Sequence, residues 1–92
     1  MIVEKIIAIK NKQGLHARPA ALFVQIANKF TSEISVSKGK QKVNGKSIMG
    51  IMMLEAGAGS KIAITINGDD AENAMAELEV LLSHDNIDDF VI

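Results

Sequence analysis

The chain has no cysteine, no tryptophan and no tyrosine, and it carries a single proline. Without cysteine, disulfides and thiolate-held metals are excluded. Aromatic residues make up only 3% of the composition, against 48% hydrophobic residues overall. The core must therefore be aliphatic, built from Ile, Val, Leu, Met and Ala. A charge excess is also lacking: ten basic residues oppose eleven acidic ones for a net charge of −1. That balance argues against a dedicated nucleic-acid binder, which carries a basic patch, and against an electrostatic membrane anchor. Long hydrophobic runs are missing as well. The opening MIVEKIIAIK is interrupted by Glu4 and Lys5, so it is expected to be neither a signal peptide nor a membrane span. The expectation is one soluble, cytoplasmic domain over residues 1–92, with a modest core, since a chain this small buries about 60–65% of its unfolded surface.

What is present has a legible order. Residues 2 to 10 are β-branched and read as a strand, with Ile2, Ile6 and Ile9 as imperfectly alternating apolar positions. NKQG follows as a turn. Residues 17 to 29 read as a helix, with Pro19 in its first turn, where a missing N–H is harmless. Its apolar positions Ala20, Leu22, Phe23, Val24, Ile26 and Ala27 recur at helical spacing. Ile34 and Val36 alternate with Ser35 and Ser37 in a half-buried strand, KGK turns, and QKV returns. Ser47 is a good N-cap, so SIMGIMML, residues 47 to 54, reads as a short helix weakened by Gly50. EAGAGS is a loop. KIAITIN is the clearest strand, and Asp69 or Asp70 then caps a last helix over residues 71 to 83. The tail from residue 84 is mixed. The order β-α-β-β-α-β-α predicts an α+β fold: a four-stranded, mainly antiparallel sheet with one face wet and three helices on the other.

The stretch GLHARPAA, residues 14 to 21, sets a histidine and an arginine at a helix start. Helix N-termini expose unpaired N–H groups and a partial positive charge, and both attract anions. His16 falls at the cap, the amides of Ala17 and Arg18 face whatever it carries, and the Arg18 guanidinium offers a donor fork suited to phosphate oxygens. Gly14 lets the approaching chain turn tightly. A neutral imidazole has one ring nitrogen free as a nucleophile. The surroundings stabilise charge but contain no recognisable general base, which suits phosphoryl transfer better than acyl transfer. On the residues alone, a bound phosphate and a covalent one stay equally open, and so does a plain capping histidine. His84 ends the last helix, where the dipole favours a histidine, and reads as structural. No metal site and no cofactor are expected.

GLHARPAA together with KSIMGIMML resembles the HPr family, the histidine phosphocarrier proteins of the bacterial sugar phosphotransferase system, over nearly the whole chain. The resemblance implies an open-faced β-sandwich. It implies phosphorylation of His16 on its δ1 nitrogen, with Arg18 at the phosphate. It names enzyme I as donor and enzyme IIA proteins or domains as acceptors, and a stoichiometric carrier in place of an enzyme. Ser47 becomes a regulatory phosphorylation site, addressed by an HPr kinase/phosphorylase. Ala21, Ile48, Met49 and Met52 become partner-facing residues, and methionine suits a surface that binds several proteins. Carriers present one face to successive partners, so a monomer is expected. Met53 and Glu55 depart from the family pattern, with Glu55 where Gly is common. Gln25 and Asn28 stand where some relatives carry lysines. Two other readings remain: an HPr-like regulator of a nitrogen-related or catabolite-control branch, and an anion-sensing domain using His16 and Arg18.

Overall fold

The computed structural model describes residues 1–85, so the mixed tail lies, from residue 86 onward, outside the described residues. Four strands and three helices follow in the expected order: β1 (Ile2–Ala8), α1 (Ala17–Ala27), β2 (Glu33–Lys38), β3 (Gln41–Asn44), α2 (Ile48–Met53), β4 (Lys61–Asn67) and α3 (Ala71–Ser83). The strands lie in the order β1-β4-β2-β3, and all three pairings are antiparallel. β4 at the centre turns Ile62, Ile64 and Ile66 inward, beside Ile34 and Val36 of β2. Helices α1 and α3 pack on this face with Phe23, Ile26, Leu78, Leu81 and Leu82 fully buried, Phe23 being the one fully buried aromatic among the described residues. The opposite sheet face is open to water.

β1 differs from its sequence reading in phase and length. Its register sets Val3 against Ile66 and Ile7 against Ile62, so these two point inward. Ile2 and Ile6 fall on the outer face, 67% and 75% exposed. A period of two admits only one of the two sets to the core, and β-branched composition alone does not say which. The strand ends at Ala8. Ile9 is buried by a different route, donating its N–H to the Ser60 carbonyl and accepting from Gly59. α1 likewise ends two residues early: beyond Asn28 the backbone bonds tighten to i→i−3, Lys29 donating to Ile26 and Phe30 to Ala27, while the Asn28 side-chain amide takes the Val24 carbonyl.

Asp70 occupies the N-cap position of α3, yet its side chain does not cap the helix. The carboxylate instead accepts from the Thr31 N–H at 2.9 Å, the Ser32 N–H at 3.1 Å and both hydroxyls. The turn before β2 is thereby tied to the start of α3. The Ser32 hydroxyl first, and then the Thr31 amide, hold this carboxyl down at about 2, below its ordinary 3.8. A depressed folded-state pKa contributes stability above the unfolded value and loses it as pH falls. Thermal unfolding followed from pH 5 to pH 2 should therefore show a loss of stability that begins near pH 4. In Asp70→Ala the slope over that window should be shallower.

Candidate functional site

The segment between β1 and α1 is pinned on two sides. Lys10 and Lys12 donate their backbone N–H groups to the carbonyls of Leu82 and Asp85 at the end of α3. Leu15, fully buried, donates to the Ala56 carbonyl at 2.7 Å, in the loop that follows α2. Between these anchors Asn11 is buried, its side-chain oxygen accepting from the Gln13 N–H and its backbone carbonyl from Gly14. Gly14 is in the left-handed region at φ +64°, and a Cβ there would lie 2.7 Å from the Ala56 carbonyl oxygen. No other residue fits this approach.

With Leu15 locked inward, His16 emerges to solvent. It is the extended N-cap of α1 (φ −87°, ψ −161°), its carbonyl accepts from Ala20, and its ring makes no capping bond. Ala17 and Arg18 are exposed in the first turn, Pro19 is buried, and that turn holds no acidic residue. The positive end of α1 and the Arg18 side chain occupy one turn with the ring. An anion on His16 would meet these donors in open solvent, held but not enclosed. Of the other histidine, the ring Nδ1 lies 2.8 Å from the Val80 carbonyl at the C-cap of α3, a local structural contact.

Helix α2 carries the second set of expected residues. Ser47 is its N-cap, and the hydroxyl oxygen accepts from the Gly50 N–H at 3.1 Å. Ile51 is the buried residue of α2, whereas Ile48, Met49, Met52 and Met53 are 44%, 75%, 42% and 62% exposed. Met49, Met52, Met53 and Glu55 line one shallow depression. Ala21 of α1 is exposed too. A broader depression of about 610 Å³ lies over the open sheet, between Ile2, Ser35, Thr65 and Lys46, away from His16. The Lys46 ammonium there donates to the Phe30 carbonyl at 2.6 Å, and nothing in it converges on a reacting group.

α1 and α2 pack against each other, and the hydrogen bonds at their ends set them in opposite directions. The end of α2 leads to Ala56 beneath Leu15, while Asn28 at the end of α1 reaches the Lys46 carbonyl beside Ser47. The two expected phosphorylation sites therefore sit near opposite ends of α1. Its 11 residues at about 1.5 Å each make that helix about 16 Å long.

Two supports of α2 had no sequence signal. The Lys38 ammonium donates to the carbonyls of Leu54 and Glu55, and the Gln41 amide to that of Met53. The β2–β3 hairpin thus supplies the donors that the end of a short helix lacks. Beyond the C-cap Leu54, Glu55 adopts φ +50°, the left-handed position where glycine is favoured, and its N–H donates to the Met52 carbonyl. A side chain in this conformation costs about 1 kcal/mol. Glu55→Gly should therefore raise stability by about 0.5–1 kcal/mol, a gain that denaturant unfolding would register.

The chain is similar in sequence and fold to known proteins. Residues 3–84 match the family model of the PTS HPr component phosphorylation site. The HPr-like protein Crh of Halalkalibacterium halodurans is 56% identical over 77 residues, 84% of this chain and 92% of that one. The crystal structure of the phosphocarrier protein HPr from Bacillus anthracis is 50% identical, with a TM-score of 0.86 over 89% of this chain and 98% of that one. Crh of Bacillus subtilis, whose crystal structure is described as a dimer with a swapping domain, is 40% identical, with a TM-score of 0.73 over 91% of this chain and 97% of that one.

Proposed function

Since the chain belongs to the HPr family of phosphocarrier proteins, we propose that His16 accepts a phosphoryl group on Nδ1 from phosphorylated enzyme I and passes it to enzyme IIA proteins or domains. The observation that carries this reading is the exposed, uncapped ring of His16 at the positive end of α1. The phosphoryl oxygens would meet the first-turn amides of Ala17 and Arg18 and the Arg18 guanidinium, charge-assisted donors of the kind phosphate favours. Exposure matters as much as binding. A carrier must hold its group through diffusion and then release it, and an open helix end stabilises phosphate without trapping it. The chain acts stoichiometrically and is not an enzyme. It works as a single cytoplasmic domain; among the described residues, no helix is long and apolar enough to cross a membrane.

The docking surface combines Ala21 with Ile48, Met49 and Met52, next to the His16 loop through the α2–Ala56 connection. Phosphorylation of Ser47 by an HPr kinase/phosphorylase regulates this surface. The transferring species is the monomer, because one face meets successive partners.

Incubation with enzyme I and labelled phosphoenolpyruvate tests the reading. Acid-labile, base-stable label should appear on His16. No label with several different enzyme I proteins would refute it. Arg18→Ala should fold normally and take up label about tenfold more slowly, as expected for losing one charge-assisted contact to phosphate. Stopped-time labelling gives the rates.

A second reading has an observation of its own. The similarity to Crh and the half-buried Ser47 cap favour a regulatory HPr-like protein that responds chiefly through Ser47. Label from a kinase and ATP on Ser47, with none from enzyme I on His16, would select it.

A further inference from the structure

We propose that the methionines of α2 form an oxidation site that switches partner docking off. The inference rests on the reading of α2 as the docking surface. The chain has five methionines and no cysteine, so thioether sulfur is where a two-electron oxidant reacts first. Three of these residues, Met49, Met52 and Met53, lie on one helix of six residues, are exposed, and line one depression. Met75 is buried in the core at 2% exposure. Met1 is exposed but distant. It precedes the end of β1 that pairs with Asn67, whereas the other end, at Ala8, leads to the His16 loop.

In the reaction the sulfur lone pair attacks the terminal oxygen of a hydroperoxide. An S–O bond forms as the O–O bond breaks, the proton of the transferred hydroxyl passes to the departing oxygen, the thioether is oxidised to a sulfoxide, and the peroxide is reduced to water or an alcohol. Each sulfoxide turns a pliable apolar contact into a strongly polar one. A partner that covers it must desolvate a new acceptor with no donor opposite. The sequence position of the patch is selective in another respect: none of its residues is in the His16 turn, so the phosphate-accepting ring stays chemically intact. Sulfoxides are reducible by methionine sulfoxide reductases, which makes the switch reversible.

The test treats the full-length protein with hydrogen peroxide until mass spectrometry finds oxygen added on Met49, Met52 and Met53. Label uptake from enzyme I should then fall about tenfold or more, as expected for an uncompensated buried polar group. Treatment with sulfoxide reductases should restore it. Loading of His16 by phosphoramidate, a small donor that needs no docking surface, should be unchanged. A variant carrying Met49→Leu, Met52→Leu and Met53→Leu should have the same rate before and after peroxide, whatever that rate is. Met1→Leu should remain as sensitive as the parent. Full uptake by the oxidised protein overturns the inference, as does loss of phosphoramidate loading or protection by Met1→Leu. Failure of the untreated protein to take label would instead refute the carrier reading itself.

Discussion

His16→Ala is expected to take up no phosphoryl group from enzyme I while unfolding at nearly the temperature of the parent. Both halves follow from the same geometry. The ring is exposed and contributes no capping bond to α1. Its removal should change stability by no more than about 0.5 kcal/mol, the ordinary range for a surface substitution. The chemistry has no such reserve. The surrounding turn offers amides and a guanidinium, which stabilise charge but are not nucleophiles. Covalent transfer without its nucleophile should drop by at least about a thousandfold. Labelling with phosphoenolpyruvate and circular dichroism on the same preparation measure the two halves. His84→Ala serves as the control. Its ring lies against the Val80 carbonyl at the C-cap of α3, so that variant should label normally. Label retained in His16→Ala would place the accepting group elsewhere.

Ser47→Asp is the second large effect, and its size depends on where Ser47 lies. Aspartate caps a helix as well as serine does, so stability should hold, whereas Ser47→Ala should lose about 1 kcal/mol by removing the acceptor of the Gly50 N–H. Transfer should show the opposite ranking. The added charge enters the margin of the docking surface and repels an acidic partner, which slows association and weakens binding by about tenfold. A true phosphate, with about −1.5 to −2 charges, should do more. The charge cannot act on the phosphohistidine directly. The two sites sit near opposite ends of a helix about 16 Å long, beyond a Debye length of about 8 Å at physiological salt, and exposed charges so placed interact by well under 0.5 kcal/mol. Hydrolysis of phosphorylated His16 should therefore be the same in Ser47→Asp and the parent, while uptake from enzyme I differs. Equal uptake in both proteins would remove the repulsion mechanism; faster hydrolysis in Ser47→Asp would show a direct path between the sites.

Much of this architecture was written in the chain. The alternation of Ile62, Ile64 and Ile66 located the central strand to the residue, and the stripe from Ala71 to Leu82 located α3. Ser47 was readable as a cap because its side chain bonds locally, three residues on. The features that escaped are those settled by distant groups. Asp70 has the composition of a helix cap but turns to Thr31 and Ser32, since four donors there outweigh one in its own helix. The inward phase of β1 is decided by its neighbour β4, not by its own isoleucines. The site itself divides in the same way. His16 and Arg18 announced themselves in sequence, but the carbonyl of Ala56 that seats Leu15, and the Lys38 clamp on the end of α2, depend on loops far apart in the chain. The separation of Ser47 from His16 was also invisible, because it follows from the opposed directions of α1 and α2.

Carriage asks more of the protein than phosphorylation, and a chase experiment measures it directly. The protein is labelled with enzyme I and radioactive phosphoenolpyruvate, freed of both, and mixed with an enzyme IIA domain. Label should leave His16 within the mixing time and appear on the acceptor in equal amount, with none released as free phosphate. Label that stays on the protein, or departs only as inorganic phosphate at the rate of spontaneous hydrolysis, would contradict it.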